Sequence, residues 1–232
     1  MKFGAVTMAY NDETIIGGTL RCLKPFVSKH IVMLSEKPFY GKPREPDNTE
    51  KISLDLGAIV VKGFWEEHIQ RNIGTQLCSD CDWVICFDSD EMMTRKDLDK
   101  LIEILDTTHT QQSAVAIRSK VYWRTTDYRL DPYPQHQHIL AIRPTVKYWD
   151  FKCVDCDYDL LGGITHHHLA WAEPKDILKK IVNYNHAVQF DGEKWYWEHF
   201  MKWKEGDKAI EPFGTIFDAV KDPLPQELLE LL

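Results

Sequence analysis

The first half of the chain alternates between short apolar runs and amphipathic segments. The apolar runs are rich in β-branched residues and predict buried strands. They lie at Phe3–Ala9, Ile31–Leu34, Ala58–Val61 and Trp83–Phe87. Helices are predicted between them, from about Glu13 to Leu23, over Trp65–Leu77 and from Thr94 to Leu105, with a polar loop at Glu36–Glu50. Alternating strands and helices indicate parallel strands in an α/β sandwich.

Two of these helices have sequence signals for their first turn. Asn11 or Asp12 is suited to cap the first helix, because its side-chain oxygen can accept a backbone N–H. Thr94 is suited to cap the last one, with Asp97 three residues later as an acidic variant of a capping box.

The second half has a different pattern, in which strands follow one another without intervening helices. Strands are predicted at Ala114–Trp123, His138–Ile142 and Ile164–Trp171, and helices at Lys175–Tyr184 and Trp195–Lys204. We therefore expect one domain over residues 1–232, with a ligand-binding half at 1–110 and a mixed half with C-terminal helices at 111–232.

Composition and charge narrow the function classes. The chain has 232 residues and a formal net charge of −8, which argues against non-specific binding of nucleic acid. It contains no run of eighteen apolar residues, and its first ten residues lack a charged leader and a cleavage site. These features predict a cytoplasmic protein.

The strongest chemical signal is Asp88-Ser89-Asp90-Glu91, directly after the most apolar strand. Asp-x-Asp occurs five times among 21 aspartates, but only this pair follows a buried strand, where open α/β sheets bind their ligands. Carboxylates so close together repel one another unless a cation lies between them. Oxygen ligands suit Mg²⁺ or Mn²⁺, which can bridge a diphosphate. The alternative is a solvated acidic turn that caps the next helix.

Three consecutive histidines, His166-His167-His168, follow a pair of glycines. In a strand, His166 and His168 share one face and His167 points the other way. Imidazole is a common metal ligand, so His168, or His166 beside it, could join Asp90 on one cation. The alternative is a run of half-exposed histidines without a ligand.

Phe3–Glu13 and Trp83–Glu91 together resemble family 2 nucleotide-sugar glycosyltransferases of the GT-A fold. The stretch His168–Trp171, followed by Lys179/Lys180 and His186, resembles a C-terminal pattern of the same enzymes. The resemblance implies a Rossmann-like half with a mostly parallel central sheet, followed by a mixed α+β acceptor half.

The chain departs from the family pattern after the second strand. Ser35-Glu36 stands where an aspartate that contacts the base is common, so the nucleotide is left open among UDP, GDP and dTDP.

The resemblance also implies a reaction and a set of ligands. A sugar would pass from a nucleotide-diphosphate sugar to a hydroxyl of a glycan or glycolipid, with inversion and with Mn²⁺ or Mg²⁺ as cofactor. The metal ligands would be Asp90, His168 and Asp88, the last directly or through water. Residues expected to bind the donor are Ala9, Tyr10, Asn11, Glu13, Asp88, Ser89 and Lys180. A glycolipid acceptor would bring the protein into peripheral contact with a membrane, and no sequence feature indicates an oligomeric state.

An inverting transferase needs a general base that takes the proton of the acceptor hydroxyl. Asp157 is the first candidate and Asp155 the second, because they lie between the Asp-x-Asp pair and the histidines. Loop carboxylates without a catalytic role are the alternative. Aromatic residues of the same half suit a sugar-binding groove, and they are Trp123, Tyr128, Tyr133, Trp149 and Tyr158.

Three other functions compete with this interpretation. A nucleotidyltransferase would also use strand-end carboxylates, although Met8-Ala9-Tyr10-Asn11 lacks the glycines expected after its first strand. A non-catalytic carbohydrate-binding or scaffold protein could retain the fold. A zinc protein could use the pairs Cys78/Cys81 and Cys153/Cys156.

Overall fold

The structure is a computed structural model that describes residues 1–107, 112–150, 152–172, 177–183 and 186–232. The strands of the first half are β1 (Phe3–Ala9), β2 (Lys29–Ser35), β3 (Ile59–Gly63), β4 (Trp83–Asp88) and β5 (Glu91–Met92). Those of the second half are β6 (Ala114–Arg118), β7 (Lys120–Arg124), β8 (Tyr128–Asp131), β9 (Gln137–Ile142), β10 (Tyr148–Asp150), β11 (Cys153–Val154), β12 (Asp159–Leu160), β13 (His167–Ala172), β14 (Lys208–Ile210) and β15 (Ile216–Lys221). The helices are α1 (Ile16–Leu23), α2 (Thr49–Asp55), α3 (Glu67–Leu77), α4 (Arg95–Asp106), α5 (Ile177–Ile181), α6 (Gly192–Trp195) and α7 (Gln226–Leu229), with a π-helical turn at Tyr196–Phe200.

The main sheet confirms the predicted α/β fold class. Its strand order is β12-β6-β9-β4-β1-β2-β3, and β9 runs antiparallel to both of its neighbours while the other pairs are parallel. The mostly parallel half is followed by mixed structure, which is the arrangement that the GT-A resemblance implied. The single-domain boundaries remain a prediction.

A second sheet has the strand order β14-β15-β8-β7-β13-β5, and the chain enters it just after the carboxyl end of β4. Strand β5 begins three residues after β4 ends and pairs antiparallel with β13. The segment that leaves the main sheet therefore enters the second sheet directly, and the junction is short.

Strand β4 is buried on both faces, as expected for a central strand of a parallel sheet. Trp83, Ile85 and Phe87 pack into one apolar cluster, whereas Val84 and Cys86 pack into another on the opposite face. This continuous burial explains why its sequence is apolar without alternation.

The predicted strand over Ala114–Trp123 is wrong in one respect, because it is two strands in different sheets. Strand β6 ends at Arg118 in the main sheet, and β7 starts at Lys120 in the second sheet. The break is at Ser119, whose hydroxyl is hydrogen-bonded to His166 Nδ1 at 2.7 Å. The polar residues Arg118, Ser119 and Lys120 interrupt the apolar run at this point, but they do not by themselves reveal a change of sheet.

The first helix starts later than predicted, at Ile16, and neither Asn11 nor Asp12 is its N-cap. Ile15 occupies that position without a side-chain cap. The Asp12 carboxylate instead accepts the backbone N–H of Tyr10 and the hydroxyl of Ser89. A contact with β4's end has thus replaced the local cap.

The C-terminal helices also differ from prediction. The helix expected over Trp195–Lys204 is the short α6 followed by the π-helical turn, in which Met201 N–H donates to the carbonyl of Tyr196. Trp195 and Phe200, five residues apart, thereby pack together with ring centroids 5.5 Å apart. Helix α5 covers the middle of the predicted Lys175–Tyr184 helix, whose ends at 175–176 and 184 lie outside the described residues.

Strand β13 begins at His167 rather than at the predicted Ile164. Sequence reasoning did not predict α2, α7 or the short strands of the second sheet. These elements have too few residues to show a clear helical or strand period of hydrophobic positions. Within the described ranges, the structure contains no helix long and apolar enough to cross a membrane.

The predicted cap of α4 is present and can be tested. Thr94 Oγ1 accepts the backbone N–H of Asp97 at 3.1 Å and donates to its carboxylate at 2.8 Å. Thr94→Ala should lower the free energy of unfolding by about 1 kcal/mol in urea denaturation, because one backbone donor loses its partner. Thr94→Ser retains the acceptor and should stay within about 0.5 kcal/mol of the native protein. Equal losses in both variants would show that the threonine methyl group, not the cap, is responsible.

Candidate functional site

The turn after β4 is fixed by contacts from both sides. Thr19 of α1 donates its hydroxyl hydrogen bonds to the carbonyls of Ser89 and Glu91, at 2.7 and 2.9 Å. The Glu91 carboxylate accepts the backbone N–H of Asp88 at 2.8 Å. Ser89, Asp90 and Glu91 are consequently buried, although their sequence suggests an exposed acidic turn.

Pairing of β5 with β13 brings the histidines to the carboxylates. His168 is paired with Glu91, and the N–H of Leu169 donates to the carbonyl of Asp90 at 2.8 Å. His168 Nε2 lies 3.5 Å from Asp90 Oδ1, and His166 Nε2 lies 3.6 Å from Glu91 Oε2. The strand therefore places both imidazoles on the carboxylate side.

His167 faces the other way, as the strand period predicts, and is hydrogen-bonded to the Tyr122 hydroxyl at 2.9 Å. A third imidazole, His138, completes the carboxylate side. It stands at the start of β9, which lies beside the end of β4 because the two strands are antiparallel. Its Nδ1 is 3.2 Å from Glu91 Oε1.

Three basic side chains from separate segments neutralise the carboxylates. Arg71 of α3 donates to Asp88 at 2.8 Å and to Glu67 at 2.7 Å. Lys152, in the turn between β10 and β11, contacts Asp88 at 2.7 Å and Glu91 at 3.0 Å. Lys180 of α5 donates to Asp90 Oδ2 at 2.9 Å and to the carbonyl of Ala170 at 3.1 Å.

These ion pairs hold the carboxylates in the charged form. Burial raises the pKa of Asp88, but Arg71 and Lys152 outweigh it, so that the pKa lies below its ordinary value. Burial also raises the pKa of Glu91, but the nearby Lys152 ammonium outweighs this effect. The pKa of Glu91 therefore lies well below its ordinary value.

The imidazoles of His138 and His166 are neutral at physiological pH. Burial lowers the pKa of His138 to about 4, with a further contribution from Lys152, and lowers that of His166 to about 3. A neutral imidazole has a free lone pair, which is the form that binds a metal ion.

The donor set fits a divalent cation. Glu91, His138 and His168 each offer one ligand atom, and these atoms lie within 4.8 Å of one another. Two buried imidazole nitrogens, His166 Nε2 and His168 Nδ1, have no hydrogen-bond partner among the described residues. Among the described residues, the charged side chains of the cluster are Glu67, Asp88, Asp90, Glu91, Arg71, Lys152 and Lys180.

The residues expected to bind the donor lie at the carboxyl end of β1, beside β4. Ala9 is buried, and the Tyr10 hydroxyl accepts the N–H of Arg44 at 3.2 Å. Asn11 has a φ of 49° and donates to the carbonyl of Glu45, whereas Glu13 accepts two hydrogen bonds from Asn48. These side chains thus hold the predicted polar loop at Glu36–Glu50, which leads into α2.

The two candidate bases lie on a different segment, near the β10–β11 hairpin. Asp155 Oδ1 accepts the N–H of Lys147 at 2.9 Å and stabilises the hairpin. Asp157 is exposed, and among the described residues it forms no hydrogen bond or ion pair. No contact links either carboxylate to the Asp88–Glu91 turn within the described structure.

The aromatic residues of the second half divide into core and surface. Trp123 is fully buried, so its expected place in a sugar groove is wrong. Trp149 is 62% exposed, and its indole N–H donates to the carbonyl of Val154, which fixes the ring on the same hairpin that carries Lys152. Tyr158 and Tyr133 are also exposed at the surface.

The alternative zinc site is not formed within the described residues. Cys78 and Cys81 are buried in the apolar core, Cys153 is exposed, and the four thiols do not come together as a ligand group. Burial raises the pKa of the Cys78 thiol to about 12, which is unfavourable for a thiolate ligand.

Sequence reasoning missed three residues of the cluster. Arg71 lies in an amphipathic helix where a charged residue is expected to face solvent, and Lys152 lies in a hairpin whose strands are too short to predict. His138 offered a usable signal, because it stands at the polar start of a predicted strand, but its partner could not be identified without the antiparallel pairing.

The sequence matches no protein-family model and no curated protein. Among solved structures, TarS from S. aureus has 14% identity and a TM-score of 0.49, over 85% of this chain and 44% of that one. A TarS 1–349 structure in complex with UDP-GlcNAc has 14% identity and a TM-score of 0.49, over 72% of this chain and 58% of that one. A cytidylyltransferase from Leptospira borgpetersenii serovar Hardjo-bovis has 18% identity and a TM-score of 0.41, over 62% of this chain and 61% of that one.

This chain spans less than half of the first TarS chain. At these identities and TM-scores, the likenesses establish no function for the chain. Function has to be inferred from the site itself.

Arg71 provides a direct test of the electrostatic account. Arg71→Met leaves Asp88 and Glu67 without their buried guanidinium partner and should lower the free energy of unfolding by about 3–5 kcal/mol at pH 7. A carboxylate with a lowered folded pKa contributes stability above its unfolded pKa and loses it as the pH falls through the folded value. The folded pKa of Asp88 lies below its ordinary value, so the native protein keeps this contribution at pH 4. Without the guanidinium, burial raises the pKa of this carboxyl, which then takes up a proton in the variant by pH 4. The difference between the variant and the native protein should therefore shrink at pH 4.

The control is Arg95→Met, which breaks an exposed i,i+4 contact to Asp99 and should change stability by less than about 1 kcal/mol. Urea denaturation at pH 7 and pH 4 measures both variants. A loss for Arg71→Met that is as small as that of Arg95→Met, or that does not change with pH, would contradict the account.

Proposed function

We propose that this protein is a metal-dependent glycosyltransferase that moves a sugar from a nucleotide-diphosphate sugar to a hydroxyl group, with inversion at the anomeric carbon. The observation that carries the proposal is the convergence of Asp88, Asp90 and Glu91 with buried imidazoles and two lysines at the end of the central strand. Such a site offers ligands for a cation and positive charges for a diphosphate. The GT-A and family 2 resemblance of the sequence supports the same assignment.

In this proposal Asp90 and His168 hold the cation, and Asp88 contacts it through water or contacts the ribose. The metal, Mn²⁺ or Mg²⁺, would act as a Lewis acid on the leaving diphosphate. Lys180, which lies 2.9 Å from Asp90, would neutralise diphosphate oxygens as a point charge.

The nucleotide would lie along the carboxyl ends of β1 and β4, between Tyr10 and Ser89. Support comes from the hydrogen bond of Ser89 to Asp12, which joins these two strand ends. Ala9, Asn11 and Glu13 would complete this binding surface. A UDP-, GDP- or dTDP-linked sugar fits the charge of the site, because each carries the same diphosphate.

The acceptor would bind on the side of the β10–β11 hairpin, where Trp149 exposes its ring to solvent. Aromatic faces stack on sugar rings, so a glycan or glycolipid suits this surface. Asp157, with Asp155 as the second candidate, would take the proton of the acceptor hydroxyl. Asp157 is the better of the two because the Asp155 carboxylate already accepts a backbone N–H.

A nucleotidyltransferase and a non-catalytic carbohydrate-binding protein are the competing functions. The described turn after β1 contains Ala9, Tyr10 and Asn11, without the glycines that would let a triphosphate approach the backbone. Metal-dependent hydrolysis of a nucleotide sugar in the absence of acceptor would distinguish an enzyme from a binding protein.

Thermal denaturation with UDP, GDP, CDP and dTDP, each with and without Mn²⁺, tests donor binding. A ligand that binds only the folded state at 100 times its Kd adds about 2.7 kcal/mol. For a chain of this size the melting temperature should then rise by about 5–10 °C. We expect one nucleotide to give this shift, and to give it only with Mn²⁺.

Asp90→Asn should abolish the shift, whereas Asp99→Asn, at an exposed position of α4, should retain it. Unliganded melting temperatures show whether either variant is merely unstable, and His168→Gln provides a second variant of the site. No shift with any nucleotide in the folded native protein would contradict the proposed function, and a shift independent of metal would contradict its metal dependence.

A further inference from the structure

The ammonium group of Lys152 contacts two of the side chains that would bind a cation. Its Nζ is 3.0 Å from Glu91 Oε1 and 3.3 Å from His138 Nδ1. Glu91 and His138 are two of the three residues, with His168, whose ligand atoms lie within 4.8 Å of one another. The ammonium group and a metal ion would therefore occupy neighbouring positions on the same carboxylate and imidazole.

The imidazoles around Glu91 supply an independent reason to expect a ligand. His166 is completely buried, and its Nε2 has no hydrogen-bond partner among the described residues. His168 Nδ1 is buried without a partner as well. Buried polar atoms are nearly always hydrogen-bonded in native proteins, so such nitrogens indicate a group that binds there.

We propose that Glu91, His138 and His168 form a site for a transition-metal ion and that Lys152 competes with the metal for it. This proposal deepens the proposed function, because Glu91 and His138 would join His168 on the cation that the proposed function places beside Asp90, but binding of the metal alone tests it. His138 on β9 is the ligand that the Asp-x-Asp sequence does not indicate.

The donor set determines which metal is favoured. Two imidazole nitrogens with one carboxylate suit Mn²⁺, Co²⁺ or Zn²⁺, whereas Mg²⁺ prefers oxygen ligands and keeps its water. Mn²⁺ should consequently bind more tightly than Mg²⁺.

Competition follows from charge and geometry. A divalent ion on Glu91 and His138 would lie within a few ångströms of the Lys152 ammonium, and like charges repel strongly at a buried site. The lysine can leave without unfolding the hairpin, because its side chain is partly exposed and its Nζ is also 2.7 Å from Asp88 Oδ2. Rotation towards Asp88 keeps one ion pair and releases both metal ligands.

Isothermal titration with Mn²⁺ alone, at neutral pH, measures the competition. Lys152→Met should bind Mn²⁺ at least tenfold more tightly than the native protein, and Lys152→Arg, which retains the charge, should not gain affinity. Lys147→Met, on the same segment but with an exposed side chain, should leave the affinity unchanged. His138→Gln should weaken Mn²⁺ binding at least tenfold.

A second measurement covers the case in which Lys152→Met does not fold. In the native protein, NMR of the lysine side chains should show the Lys152 resonance shifting on addition of Zn²⁺, with the Lys147 resonance as an unaffected reference. Equal or weaker Mn²⁺ binding by folded Lys152→Met, an unchanged Lys152 resonance, or equal affinity for Mg²⁺ and Mn²⁺ would overturn the proposal.

These outcomes are separable from failure of the proposed function. A tenfold gain in Lys152→Met without any nucleotide-dependent thermal shift would support the metal site and contradict the transferase. A nucleotide- and metal-dependent thermal shift with no change of Mn²⁺ affinity in Lys152→Met would support the transferase and contradict the competition between Lys152 and the metal.

Discussion

Mutual repulsion of the carboxylates at the end of β4 is the constraint on which the site depends. Asp90 and Glu91 are buried, Asp88 is half-buried beside them, and Asp88 and Glu91 remain ionised because basic groups reach them. Each basic group comes from a different segment, with Arg71 on α3 and Lys152 in the β10–β11 turn. The charge of these three positions thus ties α3, the hairpin and α5 to the central strand.

The antiparallel pairing of β5 with β13 brings these carboxylates next to the histidines. Because β5 follows β4 after a single turn, it carries the carboxylates from the main sheet into the second sheet. Register then places His168 opposite Glu91. The same ladder turns His167 away, so one strand supplies both a buried contact to Tyr122 and an imidazole of the candidate site.

Local sequence was sufficient for the elements that are long and fully buried. Strand β4 and the Thr94 cap could be predicted because their signals lie within a few residues. Arg71 and Lys152 could not, because nothing near them in sequence shows that their partners are buried carboxylates 17 and 61 or more residues away. The change of sheet at Ser119 was hidden for the same reason, since the partner of its hydroxyl, His166, lies 47 residues away.

The central claim is that this cluster binds a divalent cation together with a nucleotide diphosphate. Pulsed electron paramagnetic resonance of Mn²⁺, recorded with the nucleotide that stabilises the protein, reports both imidazole nitrogen and phosphorus bound to the same ion. Both couplings are expected on one ion, and the nitrogen coupling should weaken in His168→Gln, which retains His138 as an imidazole ligand. Phosphorus coupling without nitrogen, or the spectrum of hydrated Mn²⁺, would contradict it.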